Sequence, residues 1–186
     1  KDAFLYYQKE YANKYGVTLI HDCMHSDNAR EAYIQLAQEG RLTVRLRGVY
    51  VLEPAFFKKQ LPEFISRKGK DNIGNDFRID TIKIFTEGEF VFEEPYEKSF
   101  LQANNLPADY NGHLYWSDED LTSSISKAIK SGSNVHLHAM GDASVRQSAV
   151  CIANAQKISE TKPRNIIPHL MLCDERIAEL MGTEEI

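Results

Sequence analysis

Strand-like and helix-like segments alternate along this chain, and that alternation restricts the fold more than any single motif does. After a helical pattern over residues 1–15 come five short aliphatic or β-branched runs, each followed by a segment with helical periodicity. Strands are expected at 17–22, 43–52 and 81–85, from Asn134 to a sharp turn at Gly141, and at 165–172. Strands separated by helices pair in parallel, because a parallel pair needs a long crossover and a helix supplies one. The expected class is therefore α/β, built either as an open doubly wound sheet or as a barrel. A complete eight-fold barrel takes about 250 residues, so a chain of 186 residues is too short for one.

Local signals punctuate the pattern. Gly16, Gly40 and Gly132 stand where helices should stop, in positions that favour a left-handed residue. Asn28 with Glu31 and Ser117 with Asp120 have the spacing of helix-capping pairs. Pro54 suits a first helical residue, and Phe57, Leu61, Phe64 and Ile65 form an apolar stripe that Pro62 should kink or split. Asp142 caps the helix after the fourth strand, and Pro168 should bend the fifth. From Gly88 to about Trp116 the sequence is rich in turn formers and lacks a period. A stretch of that length favours a functional loop or lid over a plain connection.

Bulk properties exclude several classes. A net charge of -5 argues against a nucleic-acid footprint, and the pairs Lys58-Lys59 and Arg67-Lys68 read as a solvated helix face. Cys23, Cys151 and Cys173 are odd in number and lack CxxC spacing, which fits a reducing, cytoplasmic setting. No apolar run approaches the roughly 20 residues of a membrane span, and no signal-peptide pattern opens the chain. The chain starts at Lys1 without Met, so a processed or cut piece is expected, with residues 1–186 as a single domain.

The segment Asn134-Val135-His136-Leu137-His138-Ala139-Met140-Gly141-Asp142 carries the strongest chemical signal. Strand side chains alternate, so His136 and His138 share a face, with His138 nearer the carboxyl end where α/β proteins deliver functional groups. Imidazole binds divalent metals well; both histidines also make sense as satisfied interior residues. Lys83 lies between Ile82 and Ile84, where burial favours the neutral amine. A neutral amine can add carbon dioxide to form a carbamate, but a lysine paired with Glu87, or one reaching solvent, fits as well. His169 completes the set as a lone strand histidine. Glu87 reads as turn chemistry, Asp142 as a cap, and His21 and Asp22 as strand-end residues of structural or supporting role. Tyr96 and His113 in the long loop are candidate substrate contacts, and His25 is a loop residue.

The segments KYGVTLIHD, LAQEGRLTVRLR, IKIFTEG, EEPY, NVHLHAMGDASVR and PRNIIPHLML, in that order, resemble the central part of amidohydrolase family 3. These are the YtcJ-like, N-substituted formamide deformylase-like metal-dependent hydrolases. The resemblance runs from about Tyr15 to Leu172. It implies a partial (β/α)8 TIM barrel comprising parallel strands two to six with flanking helices. It also implies a divalent metal, zinc by preference, held by Lys83 as a carboxylated lysine on strand four, His138 on strand five and His169 on strand six. The implied reaction is hydrolysis of an amide-like, non-peptide C–N bond in a small-molecule substrate. The family's paired histidines of strand one and its aspartate of strand eight have no counterpart here. Pro168 stands where the family often has a glutamate.

The isolated chain is accordingly expected to be inactive, and exposed strand edges make a homo-oligomer one expected outcome. Two other readings remain. One is a non-catalytic binding or regulatory protein on a degenerate hydrolase scaffold; the other is a complete flavodoxin-like domain sharing local motifs.

Overall fold

Strands Leu19–Met24 (β1), Arg45–Leu52 (β2), Phe77–Phe85 (β3) and Asn134–His138 (β4) form one parallel sheet in the order β1-β2-β3-β4. In the first pair, Leu19 lies opposite Arg45 and Met24 opposite Tyr50. This computed structural model describes residues 1–24 and 26–186. His25, expected in a loop, lies outside the described residues. The chain packs as two compact units, one of Lys1–Leu52 with Phe56–Lys83 and one of Glu53–Ala55 with Ile84–Ile186.

In the first unit, the opening helix Asp2–Tyr7 (α1) passes into a π-helical stretch, Gln8–Ala12, and a 3-10 turn, Asn13–Tyr15. Gly16 stops it with φ 73°, as its freedom from a Cβ allows. Helix Asp27–Gln38 (α2) starts two residues earlier than Asn28 and Glu31 suggest. Its cap is Ser26, whose hydroxyl accepts the Ala29 N–H at 3.3 Å. Helix Phe57–Arg67 (α3) begins after Pro54 and runs through Pro62 as one element. Phe57, Leu61 and Phe64 are buried on its inner face, so packing of that stripe outweighs the missing donor. Leu36, Leu46, Val49, Leu52 and Phe77 have no exposure, and each such side chain contributes roughly 1.5–3 kcal/mol.

The second unit holds helices Lys98–Ala103 (α4), Asp118–Lys130 (α5), Asp142–Ser159 (α6) and Glu175–Glu184 (α7). Ser117 caps α5 as the spacing predicts, accepting the Asp120 N–H at 3.1 Å. Gly141, not Asp142, is the cap position of α6. The core joins Leu121 and Ile125 of α5, Val135 and Leu137 of β4, and Ala149 and Ile152 of α6, all without exposure.

Residues 165–172 do not form the strand their sequence suggests. Two isolated parallel bridges, His136 to Ile166 and Ala139 to His169, tie them to the end of β4. Pro168 lacks an N–H, and His169 and Leu170 have φ of 73° and 45°, so an extended ladder cannot propagate through them. Asn165 still anchors the segment: its amide oxygen accepts the Val135 N–H at 3.1 Å and its amide donates to Gln156 at 2.7 Å.

Candidate functional site

The burial of β4 alternates strictly: Val135 and Leu137 are fully buried, whereas Asn134, His136 and His138 are partly open. That places both histidines on the face away from α5 and α6, as the period of two predicts. Two rings lie against that of His138. Phe85 lies at a centroid distance of 5.1 Å, and His169 meets it edge-on at 4.6 Å.

His138 and His169 are therefore brought together although 31 positions separate them in sequence (169 - 138 = 31). The positive φ at His169, followed by another at Leu170, is the backbone feature that turns the ring toward β4. A β-carbon residue in that region is strained, and such strain concentrates at functional sites. His169 is itself exposed.

Two imidazoles side by side offer two nitrogen donors. Zinc–imidazole bonds of about 2.1 Å require ligating rings to be close neighbours, and a separation of 4.6 Å meets that requirement. Among the described residues, no group of three or more His, Cys, Asp or Glu side chains is arranged to hold an ion. The donor chemistry of the pair fits a divalent metal, but a four-coordinate site needs further ligands.

Lys83 occupies the interior of β3 with only 4% exposure. Burial lowers its pKa to about 8, an effect that the neighbouring Cys23 opposes. The amine is thus neutral in an appreciable fraction near neutral pH, the form that can react with carbon dioxide.

The long stretch after β3 is ordered rather than loose. Phe92 and Asn111 exchange hydrogen bonds at 2.8 Å, and the Tyr96 N–H donates to Tyr110 at 3.0 Å. Tyr96 lies at the middle of an aromatic group, its ring 4.7 Å from Phe92, 4.8 Å from Phe100 and 5.9 Å from Tyr110. Its hydroxyl donates to the Phe90 carbonyl at 2.5 Å. Tyr96 thus shapes the loop from within. His113 is exposed, with its ring 6.0 Å from Tyr115.

Sequence reasoning underrated three neighbours of His138. Glu87, expected in turn chemistry, is a carboxylate with no exposure; Thr86 is equally buried and donates to the His138 carbonyl. Asp142 is the first residue of α6 rather than its cap position; its Oδ1 accepts the Ala143 N–H at 2.8 Å and the Glu93 N–H at 2.9 Å, holding the loop against the start of the helix. A Thr-Glu-Gly triplet directly after an apolar strand was the available signal.

Over residues 7–179 the sequence matches the model of a family described as the amidohydrolase family. Among solved structures, an uncharacterized metal-dependent hydrolase from Pyrococcus furiosus is 23% identical with a TM-score of 0.69. The match covers 95% of this chain and 35% of that one. An uncharacterized metal-dependent hydrolase from Pyrococcus horikoshii OT3 is 21% identical with a TM-score of 0.70, over 100% of this chain and 36% of that one. The chain thus spans about a third of the length of either structure. No curated protein matches the sequence.

Proposed function

The chain belongs to the amidohydrolase family, and we propose that it forms the central strands of a metal-dependent hydrolase barrel within a longer protein. The observation that carries this reading is the contact of the His138 and His169 rings at 4.6 Å. His138 and His169 would supply imidazole nitrogens to a divalent metal, by preference zinc, with Lys83 as a third ligand. A bound ion of this kind lowers the pKa of its water and polarises a carbonyl, chemistry suited to an amide-like C–N bond.

The chain's own residues prepare that chemistry. Lys83, buried and partly neutral, can add carbon dioxide: a nitrogen–carbon bond forms as one C=O π bond opens onto oxygen, the nitrogen's proton passes to water, and the carbamate presents two oxygens. Phe85 packs one face of His138 and limits water there. The aromatic loop around Tyr96, with exposed His113, suits a small-molecule substrate with apolar surface. Free Cys23, Cys151 and Cys173 accord with a cytoplasmic setting, and no described helix is long and apolar enough to cross a membrane. Nucleic acid is not a proposed partner; self-association is.

Zinc uptake by the longer protein tests the reading. Equilibrium dialysis should show tight binding that His138→Ala and His169→Ala each weaken by more than about 100-fold. Loss of outer-shell partners alone costs 10–100-fold. Unchanged uptake in both variants would remove the metal assignment and favour a binding protein on a degenerate scaffold. A panel of N-acyl and formamide compounds then reports the bond cleaved, and the isolated 186-residue chain should cleave none.

A further inference from the structure

Residues 85–87 grip residues 138–141 along their length. Phe85 packs on the His138 ring. The Thr86 N–H donates to the His138 carbonyl at 3.3 Å, and the Thr86 hydroxyl donates to the same oxygen. One oxygen of Glu87, Oε1, accepts the Met140 N–H and, at 3.2 Å, the Gly141 N–H. The other, Oε2, accepts the Val91 N–H at 2.7 Å. A buried carboxylate is costly unless its lone pairs are engaged. Here three backbone donors engage them, and the amino end of α6 favours the negative charge.

The same carboxylate thereby joins two segments. On one side is the turn that follows His138; on the other is the start of the aromatic loop. Further contacts close the joint. The Ala143 N–H donates to Val91 at 3.2 Å, and Arg146 pairs with Glu93. Gly141 leaves no slack, since a Cβ there would stand 2.1 Å from the Val91 carbonyl oxygen. A shift of the loop at Val91 must therefore be felt by the turn at Met140 and Gly141.

We propose that Thr86 and Glu87 are positioning residues, a clamp that sets the His138 imidazole and couples its orientation to the conformation of the Tyr96 loop. Its functional meaning rests on the reading of His138 as a metal ligand, but the clamp exists without metal and is tested without it. Glu87 touches neither ion nor substrate in this scheme.

The test uses the full 186-residue chain, isotope-labelled and metal-free, with NMR of backbone amides and histidine rings. In the unaltered chain, the amide protons of Val91, Met140 and Gly141 should be protected from exchange. Glu87→Gln keeps the shape but turns one acceptor into a donor facing an N–H. It should speed exchange on one side of the carboxylate by about tenfold or more and move the His138 ring resonances, while those of His21 stay put. Thr86→Val removes only the hydroxyl donor. It should move His138 and leave the Val91 amide protected, which keeps the proposal testable if Glu87→Gln fails to fold. Ile152→Val, a mild core change in α6, should leave the His138 ring unmoved, separating the clamp from general loosening.

Unprotected amides in the unaltered chain, or His138 resonances indifferent to both clamp variants, would overturn the proposal. Zinc affinity of the longer protein is a separate arm, expected to fall about 10–100-fold in Glu87→Gln. If that protein takes up no zinc while the resonances move as stated, the metal reading fails and the clamp stands.

Discussion

His138 and His169 arrive at one place by opposite structural means. His138 ends a regular strand whose intervening residues, Val135 and Leu137, are fully buried, and the turn after it is held by Thr86 and Glu87. His169 is carried by a segment joined to the sheet through two isolated bridges, on a backbone with φ of 73°. The first arrangement obtains its direction from a ladder and a core. The second obtains it from a strained turn, at a cost of order 1 kcal/mol or more for each residue so held. A pair built this way has one member held by a ladder and a core and one held by its local backbone.

The contrast can be broken first from the side held by ladder and core. Leu137→Ala, in the layer beneath the histidines, should cost about 3 kcal/mol by loss of burial and creation of a cavity. A urea titration followed by circular dichroism would show it as a lower midpoint with unchanged slope. A loss below about 1 kcal/mol would mean that β4 is not the anchored element. Gly141→Ala should come next, at about 2 kcal/mol, because the new Cβ meets the Val91 backbone, which no rotamer change can move. The same titration reports it, and exchange at the Val91 amide should rise with it.

Changes on the side held by isolated bridges should be smaller. Leu170→Gly removes a part-buried side chain but relieves φ of 45°. The two effects oppose, and stability should stay within about 1 kcal/mol of the original. The smallest effect belongs to Asp174, the cap of α7. The Ile177 N–H, helped by Arg176, holds its carboxyl below the ordinary value of 3.8. A depressed acid stabilises the folded state fully above its unfolded value, and the contribution fades as pH falls through the lower folded value. Acid titration should therefore fray the first turn of α7, visible as faster Ile177 amide exchange, and Asp174→Ala should abolish that dependence.

Much of the scaffold was legible because its signals are local. The alternating burial of β4, the cap at Ser117 and the stops at Gly16 and Gly132 each depend on a few adjacent residues. The failures were equally instructive. Asn28 and Glu31 have capping spacing, but Ser26 begins the helix, since the residue entering in extended conformation accepts the bond. Residues 165–172 have strand-forming composition, yet Pro168 and two left-handed residues confine them to bridges. Pro62 was a reason to expect a break in α3, and the buried stripe of Phe57, Leu61 and Phe64 kept the helix whole.

Period, turn chemistry and composition were enough to establish an α/β chain with parallel strands and to single out His138, Lys83 and His169. The family resemblance implied that His138 and His169 share a site; their ring contact at 4.6 Å and the role of Glu87 came into view only with the folded structure. Glu87 meets Met140 and Gly141 in the turn after β4, 53 and 54 positions away. Local periodicity carries no information about which distant backbone donors will converge on a buried carboxylate. That convergence is set by how the strands pack and where the chain returns, which makes it a property of the whole fold.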